Sequence, residues 1–241
     1  MFELDLQNSG LARLRLNRPD ARNAIPAAQW DSLAAHCDTT ARSGARLLLV
    51  QGTSAAFCAG ADLREFESLR GDVAAAASFR HAMRRGIDAL ATIPLATIAV
   101  VEGPCYGAGV ALALACDIRL AGPGALFAIT PARMGISFPQ EDVARLVGQI
   151  GPGRGSRLLF GGGSIDQAEA LSICLADGSL DELQALCALI LENDGESIAT
   201  LKRGIRLAGE GRMNDSEQDR VFDALLASEV LARRLAARRR R

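Results

Sequence analysis

The residues with the spacing to do chemistry are small ones. Cys58-Ala-Gly-Ala-Asp-Leu63 and Gly103-Pro-Cys-Tyr-Gly-Ala-Gly109 each place glycine and alanine between a strand-like run and a helical run. Small side chains let a ligand approach the main chain, and amides at a helix start point outward with the positive end of the dipole. One such loop can cradle an anion. Two that converge can hold one developing oxyanion between two N–H donors. The other reading is that each loop is a tight connection and nothing more. Gly107-Ala-Gly109 lacks the full dinucleotide pattern, and no Gly-Lys-Ser/Thr follows either loop, so neither is a phosphate loop.

Reactive side chains are sparse. The six cysteines, at 37, 58, 105, 116, 174 and 187, form no C-x-x-C pair and no metal-like spacing with the only two histidines, His36 and His81. They read as reduced thiols, mostly in the core. A thiol nucleophile needs a neighbouring base, and neither histidine has an evident tie to Cys58. Cys105 reads as a small core residue, and Tyr106 and Trp30 read as packing.

The elements that must position these loops follow from periodicity. Phe2 to Leu6 and Leu11 to Leu16 alternate apolar and polar residues around Ser9-Gly10, which predicts a β-hairpin ended by Pro19. Helices are expected over Ala27 to Ala41 and from about Leu63 to Thr92, with buried strands at Arg46 to Val50, Ala96 to Val101 and Ile118 to Ala121. The second loop feeds a helix through Ala115. Beyond Pro139 the pattern turns helical: Glu141 to Ile150, Gly153 to Phe160, Ile165 to Leu171, Leu180 to Leu191, Ser197 to Leu207 and Ser216 to Leu235. One α/β core with a helical C-terminal part accounts for this order.

With 49% hydrophobic and 23% charged residues over 241 positions, the chain is expected to be globular, and only 4% aromatics leaves an aliphatic core. No apolar run reaches the roughly 18 residues needed to span a membrane, and Met1 to Gly10 lacks signal-peptide regions, so a cytoplasmic location without membrane association is expected. Six arginines lie between Arg233 and Arg241, which reads as a solvated tail or a phosphate contact. Without another basic cluster or an aromatic platform, nucleic acid is not expected as a partner.

The same loops, with their neighbours, resemble the crotonase superfamily, the enoyl-CoA hydratase/isomerase family. Leu16-Asn-Arg-Pro-Asp-Ala-Arg-Asn-Ala24 is similar to its N-terminal signature, and Ala56 to Leu63 and Ala99 to Ile118 to its two oxyanion segments. Phe127 to Gly135, Gly151 to Gly161 and Ala168 to Leu171 extend the similarity over nearly the whole chain. The resemblance implies an α/β fold, a spiral of ββα repeats over residues 1–180, with a C-terminal helical region over 181–241 that mediates trimers or hexamers (dimers of trimers). It implies an acyl-CoA thioester as substrate, with coenzyme A part of that substrate and no separate cofactor or metal. It places the two oxyanion N–H donors on Ala61 and Ala108, and contacts to CoA on Arg22, Ala59, Ala61, Asp62 and Leu63.

The pattern breaks at the acids. Hydratases of this family use two glutamates, and the matching positions here are Ala111 and Pro131, neither of which can move a proton. Glu141 and Asp142, in the region that resembles the active-site wall, are the substitutes to consider, although acids in a first helical turn are ordinary dipole partners. An enoyl-CoA hydratase/isomerase-type enzyme is the leading expectation. A non-catalytic acyl-CoA-binding homologue and a decarboxylase or dehydratase of the same type are the alternatives.

Overall fold

The alternation at the N-terminus forms the expected hairpin: β1 (Phe2–Leu6) runs antiparallel to β2 (Leu11–Leu16), with Phe2 opposite Leu16. In this computed structural model residues Met1–Arg238 are described; Arg239 to Arg241, the end of the arginine run, lie outside the described residues. After β2 come α1 (Trp30–Arg42) and β3 (Leu47–Gln51). A 3-10 helix over Leu63–Leu69 and α2 (Val73–Thr92) occupy the stretch read as one helix. Asp72 separates them by accepting the Ala75 N–H (2.8 Å) and capping α2.

Next are β4 (Ala96–Val101), β5 (Pro104–Tyr106), α3 (Ala108–Leu114), β6 (Ile118–Ala121) and β7 (Leu126–Ala128). Then α4 (Gln140–Ile150), α5 (Pro152–Gly161), β8 (Ser164–Asp166), α6 (Gln167–Ser172), β9 (Gly178–Ser179) and α7 (Leu183–Glu192) complete the unit Met1–Glu192.

Four successive segments repeat one path: a strand of the large sheet, a strand or single bridge of a second layer, then a helix. β2 leads to Ile25 and α1, β3 to Cys58 and α2, β4 to β5 and α3, and β6 to β7 and α4. The large sheet has the order β1-β2-β3-β4-β6-β9 and is parallel from β2 onward. In the second layer Ile25 bridges Ala61, Cys58 bridges Cys105, and β5 pairs with β7, all parallel. Each turn of this spiral therefore lays its loop beside the loop of the next.

The parallel strands are near-continuous apolar runs because both faces are covered: Leu47, Leu48, Val50, Ile98 and Ala99 are all buried. α1 and α2 pack so closely that a Cβ on Gly86 would stand 2.6 Å from the Trp30 carbonyl oxygen. Trp30 is fully buried there, as core packing.

Two helical expectations are corrected. Ile165 to Leu171 is not one helix: Ile165 pairs with Phe127 in β8, and Asp166 caps α6 by accepting the Glu169 N–H (2.9 Å). Ser216 to Leu235 is two helices, because Ser228 accepts the Leu231 N–H (3.3 Å) and starts a new one. These, α9 (Ser216–Leu226) and α10 (Glu229–Arg238), follow α8 (Gly195–Gly209) in the second unit, Asn193–Arg241. Asp194 and Asp215 cap α8 and α9. Among the described residues no helix is long and apolar enough to cross a membrane, and no group of His, Cys, Asp and Glu could hold a metal ion.

Candidate active site

The spiral brings the two small-residue segments together. Cys58 donates its N–H to the Pro104 carbonyl (3.1 Å), and Tyr106 donates to the Cys58 carbonyl (2.8 Å). A side chain at Gly60, whose φ is +97°, would stand 2.7 Å from the Tyr106 carbonyl oxygen and 3.1 Å from the Ala108 nitrogen. The loops meet where there is no room for a Cβ.

On the other side of the first segment, Ile25 donates to the Gly60 carbonyl (2.8 Å) and accepts from the Asp62 N–H (3.0 Å). Extended backbone alternates its polar groups, so the Ala61 N–H between them points away from Ile25. Ala108 opens α3, where an N–H has no carbonyl one turn earlier to bond. Among the described residues neither N–H donates to a protein acceptor. Both alanines line one cavity of about 660 Å³.

The Leu16 to Ala24 segment turns out to be a brace. Asn23 is fully buried with φ +59°, a conformation asparagine tolerates better than most residues. Its Nδ2 donates to the carbonyls of Ala56 (2.7 Å) and Phe57 (3.3 Å), and its Oδ1 accepts the Arg18 N–H (2.8 Å). Arg18 Nη1 reaches Asp62 Oδ2 (2.7 Å), and Arg64 holds the same carboxylate from the other side (3.0 Å). Arg64 and Arg18 hold the Asp62 carboxyl far below the usual carboxylate range, and its Oδ1 also accepts the Arg64 N–H (3.2 Å) at the start of the 3-10 helix. Asp62 is thus engaged as a cap and an ion-pair partner.

Of the CoA-contact candidates, Ala59, Ala61 and Leu63 line the cavity, whereas Arg22 and Asp62 do not. Arg22 is exposed, and its carbonyl accepts the Ala59 N–H (2.9 Å), which ties it to the first loop through the main chain.

The acid candidates lie elsewhere. Glu141 is exposed in the first turn of α4. Asp142, whose side chain is 0% exposed, accepts from Arg84 Nη1 (2.8 Å) and faces Arg145 (3.5 Å). Burial pushes its carboxyl up from the usual range, against Arg84 and Arg145, which pull it down. Arg84 and Arg145 also meet Asp88 (2.9 and 2.8 Å), so the group is a charge square clasping α2 to α4. Neither acid lines the cavity, and among the described residues no carboxylate does. Pro131 lines it, and Ala111 is buried in α3.

The thiols are not poised for attack. Burial pushes Cys58 up to about 12 and Cys105 well above the usual thiol range. Tyr106 is half-buried in β5 and does not line the cavity.

Sequence reasoning missed the cavity wall. Ala76, Phe79, Arg80 and Met83 of α2 line it at positions i, i+3, i+4 and i+7, a helical face that the alanine-rich stretch obscured. Phe66 meets Phe79 edge-on at 5.5 Å, and Met134, Ile136 and Phe138 close the opposite side.

The family model for enoyl-CoA hydratase/isomerase matches residues 6–206. The Mycobacterium tuberculosis protein named "Probable enoyl-CoA hydratase EchA17" is 31% identical over 205 residues, which cover 83% of this chain and 78% of that protein. The M. tuberculosis protein named "Probable enoyl-CoA hydratase echA6" is 30% identical over 186 residues, 76% of this chain and 74% of that one. Among solved structures, an enoyl-CoA hydratase/carnithine racemase from Magnetospirillum magneticum superposes with TM-score 0.90 at 25% identity, covering 99% of this chain and 94% of that one.

Proposed function

We proceed from one premise, that this chain belongs to the enoyl-CoA hydratase/isomerase family and has the crotonase fold, and propose that it processes an acyl-CoA thioester by stabilising its enolate. The observation that carries the reading is the pair of Ala61 and Ala108 N–H groups, both without a protein acceptor and both lining one cavity. A thioester oxygen between them would gain negative charge as the enolate forms, and fixed donors stabilise that charge without reorganising. Because the donors are main-chain groups, alanine suits both positions.

Ala59 and Leu63, beside Ala61, would hold the pantetheine end of coenzyme A. Arg22 and Asp62 would act from behind, Arg22 toward phosphate and Asp62 by fixing the loop. Exposed apolar residues on the C-terminal helices, Leu201 and Ile205 of α8 and Phe222 and Leu226 of α9, favour assembly into trimers or hexamers.

A cavity without a carboxylate favours a second reading of the chemistry, in which no protein base is used. With a 2-carboxyacyl-CoA such as malonyl-CoA, the bond from Cα to the carboxylate breaks, carbon dioxide leaves, and the electron pair of that bond becomes the enolate, which water then protonates at Cα. The oxyanion donors suffice for that step.

Incubation with crotonyl-CoA, 3-hexenoyl-CoA and malonyl-CoA, alongside calorimetric binding of each, distinguishes the cases. Turnover of any one supports enolate chemistry and identifies its type. Tight binding without turnover identifies an acyl-CoA-binding homologue. Absence of binding by every thioester overturns the reading.

A further inference from the structure

The cavity specifies more than a thioester. Its walls are apolar on both sides of the proposed oxyanion donors: Phe66, Phe79 and Met83 on one side and Met134, Ile136 and Phe138 on the other. The apolar character does not stop at the wall. Met134 and Ile136 on the rim each remain 45% exposed, a cost in water that a bound apolar group would remove. The charged lining groups, Arg70 and Arg80, are both exposed, so neither offers a buried partner for a polar end.

Size points the same way. At roughly 30 Å³ per water-sized heavy atom, a cavity of about 660 Å³ takes on the order of twenty such atoms. A butanoyl thioester group has six heavy atoms from its sulfur to its methyl carbon, about a third of that number, and the pantetheine end beside Ala59 and Leu63 takes only a share of the rest. Ala76 of α2 lines the same cavity one turn before Phe79 and Arg80, and a larger side chain there would take up part of its space.

We propose that the acyl group taken by this site is a long unbranched apolar chain of eight or more carbons, lying between α2 and the 130–139 segment, with Ala76 setting the length it admits. This rests on the acyl-CoA reading above and narrows it to a substrate class. The driving force is removal of methylenes, and of the exposed rim residues, from water.

Titration of CoA, butanoyl-CoA, octanoyl-CoA, dodecanoyl-CoA and the ω-carboxylated octanedioyl-CoA by calorimetry tests it. Affinity is expected to rise about threefold or more per methylene from butanoyl to octanoyl, on the order of a hundredfold in all, and not to fall at dodecanoyl. Octanedioyl-CoA is expected to bind at least tenfold more weakly than octanoyl-CoA. Ala76→Phe is expected to lose at least tenfold for octanoyl-CoA while keeping butanoyl-CoA binding within threefold, the latter serving as the folding control. Ile136→Asp, on the exposed rim, is expected to weaken dodecanoyl-CoA more than butanoyl-CoA.

Butanoyl-CoA binding with flat or falling affinity for longer chains overturns the inference alone. So does preference for octanedioyl-CoA, which would assign Arg70 or Arg80 to a terminal carboxylate. Failure of every CoA ester to bind overturns the acyl-CoA reading and this inference with it.

Discussion

Asn23 shows how the loops that line the cavity depend on a side chain that does not line it. It satisfies the carbonyls of Ala56 and Phe57, just ahead of the first loop, and fixes Arg18, which in turn anchors Asp62. Asn23→Ala leaves those groups unpaired in the interior and is expected to cost about 2–4 kcal/mol, read by urea unfolding, because unsatisfied buried groups carry their full desolvation penalty. A loss under about 1 kcal/mol would mean the brace is dispensable. The Asp62 carboxyl titrates far lower in the folded chain than unfolded, so it contributes stability above the unfolded value near 4, and that contribution is lost as pH falls through the acid range. Asp62→Asn is therefore expected to be less stable at neutral pH and to flatten the acid limb of the stability profile. At pH 8, maleimide is expected to label exposed Cys174 and to leave Cys58 and Cys105 unmodified in the native protein; rapid labelling of Cys58 would contradict its burial and raised titration.

At the scale of elements, what was legible in the sequence was whatever had a period or a motif. The runs at Leu47 to Val50, Ala96 to Val101 and Ile118 to Ala121 are strands because β-structure buried on both faces leaves a continuous apolar stretch. β5, β7 and β8 are three residues long and carry no period, so the second layer of the spiral was not legible as strands. The two small-residue loops that line the cavity were legible because glycine and alanine clustered between elements, whereas the α2 wall was masked by alanines that read as generic helix. Asp142 had an acid's sequence context and a structural clasp's location, a distinction set by Arg84 and Arg145 from 58 and three residues away in sequence. Gly86 tests the packing of the wall: Gly86→Ala would drive a Cβ into the Trp30 main chain and is expected to destabilise the protein by about 1–3 kcal/mol despite alanine's better helix propensity. Unchanged or raised stability in thermal unfolding would show that α1 and α2 can separate at little cost.

For the whole molecule, the repeat of strand, second-layer strand and helix stacks loops from successive turns, which is why residues 61 and 108 share one cavity across 47 positions of sequence. The exposed apolar residues of α8 and α9 predict a sedimenting mass three or six times the 25.4 kDa chain, and Leu201→Asp with Phe222→Asp is expected to release protomers. A wild-type chain that sediments as a monomer at micromolar concentration would contradict that assembly. The central claim is polarisation of a thioester carbonyl by the Ala61 and Ala108 N–H groups, and the most direct measurement is the infrared carbonyl band of octanoyl-CoA, assigned by carbon-13 labelling at the carbonyl, free and bound. The account predicts that the bound band moves to lower wavenumber than in water, as two fixed donors lengthen the carbonyl bond. A bound ester whose carbonyl band stays at or above its position in water would contradict it.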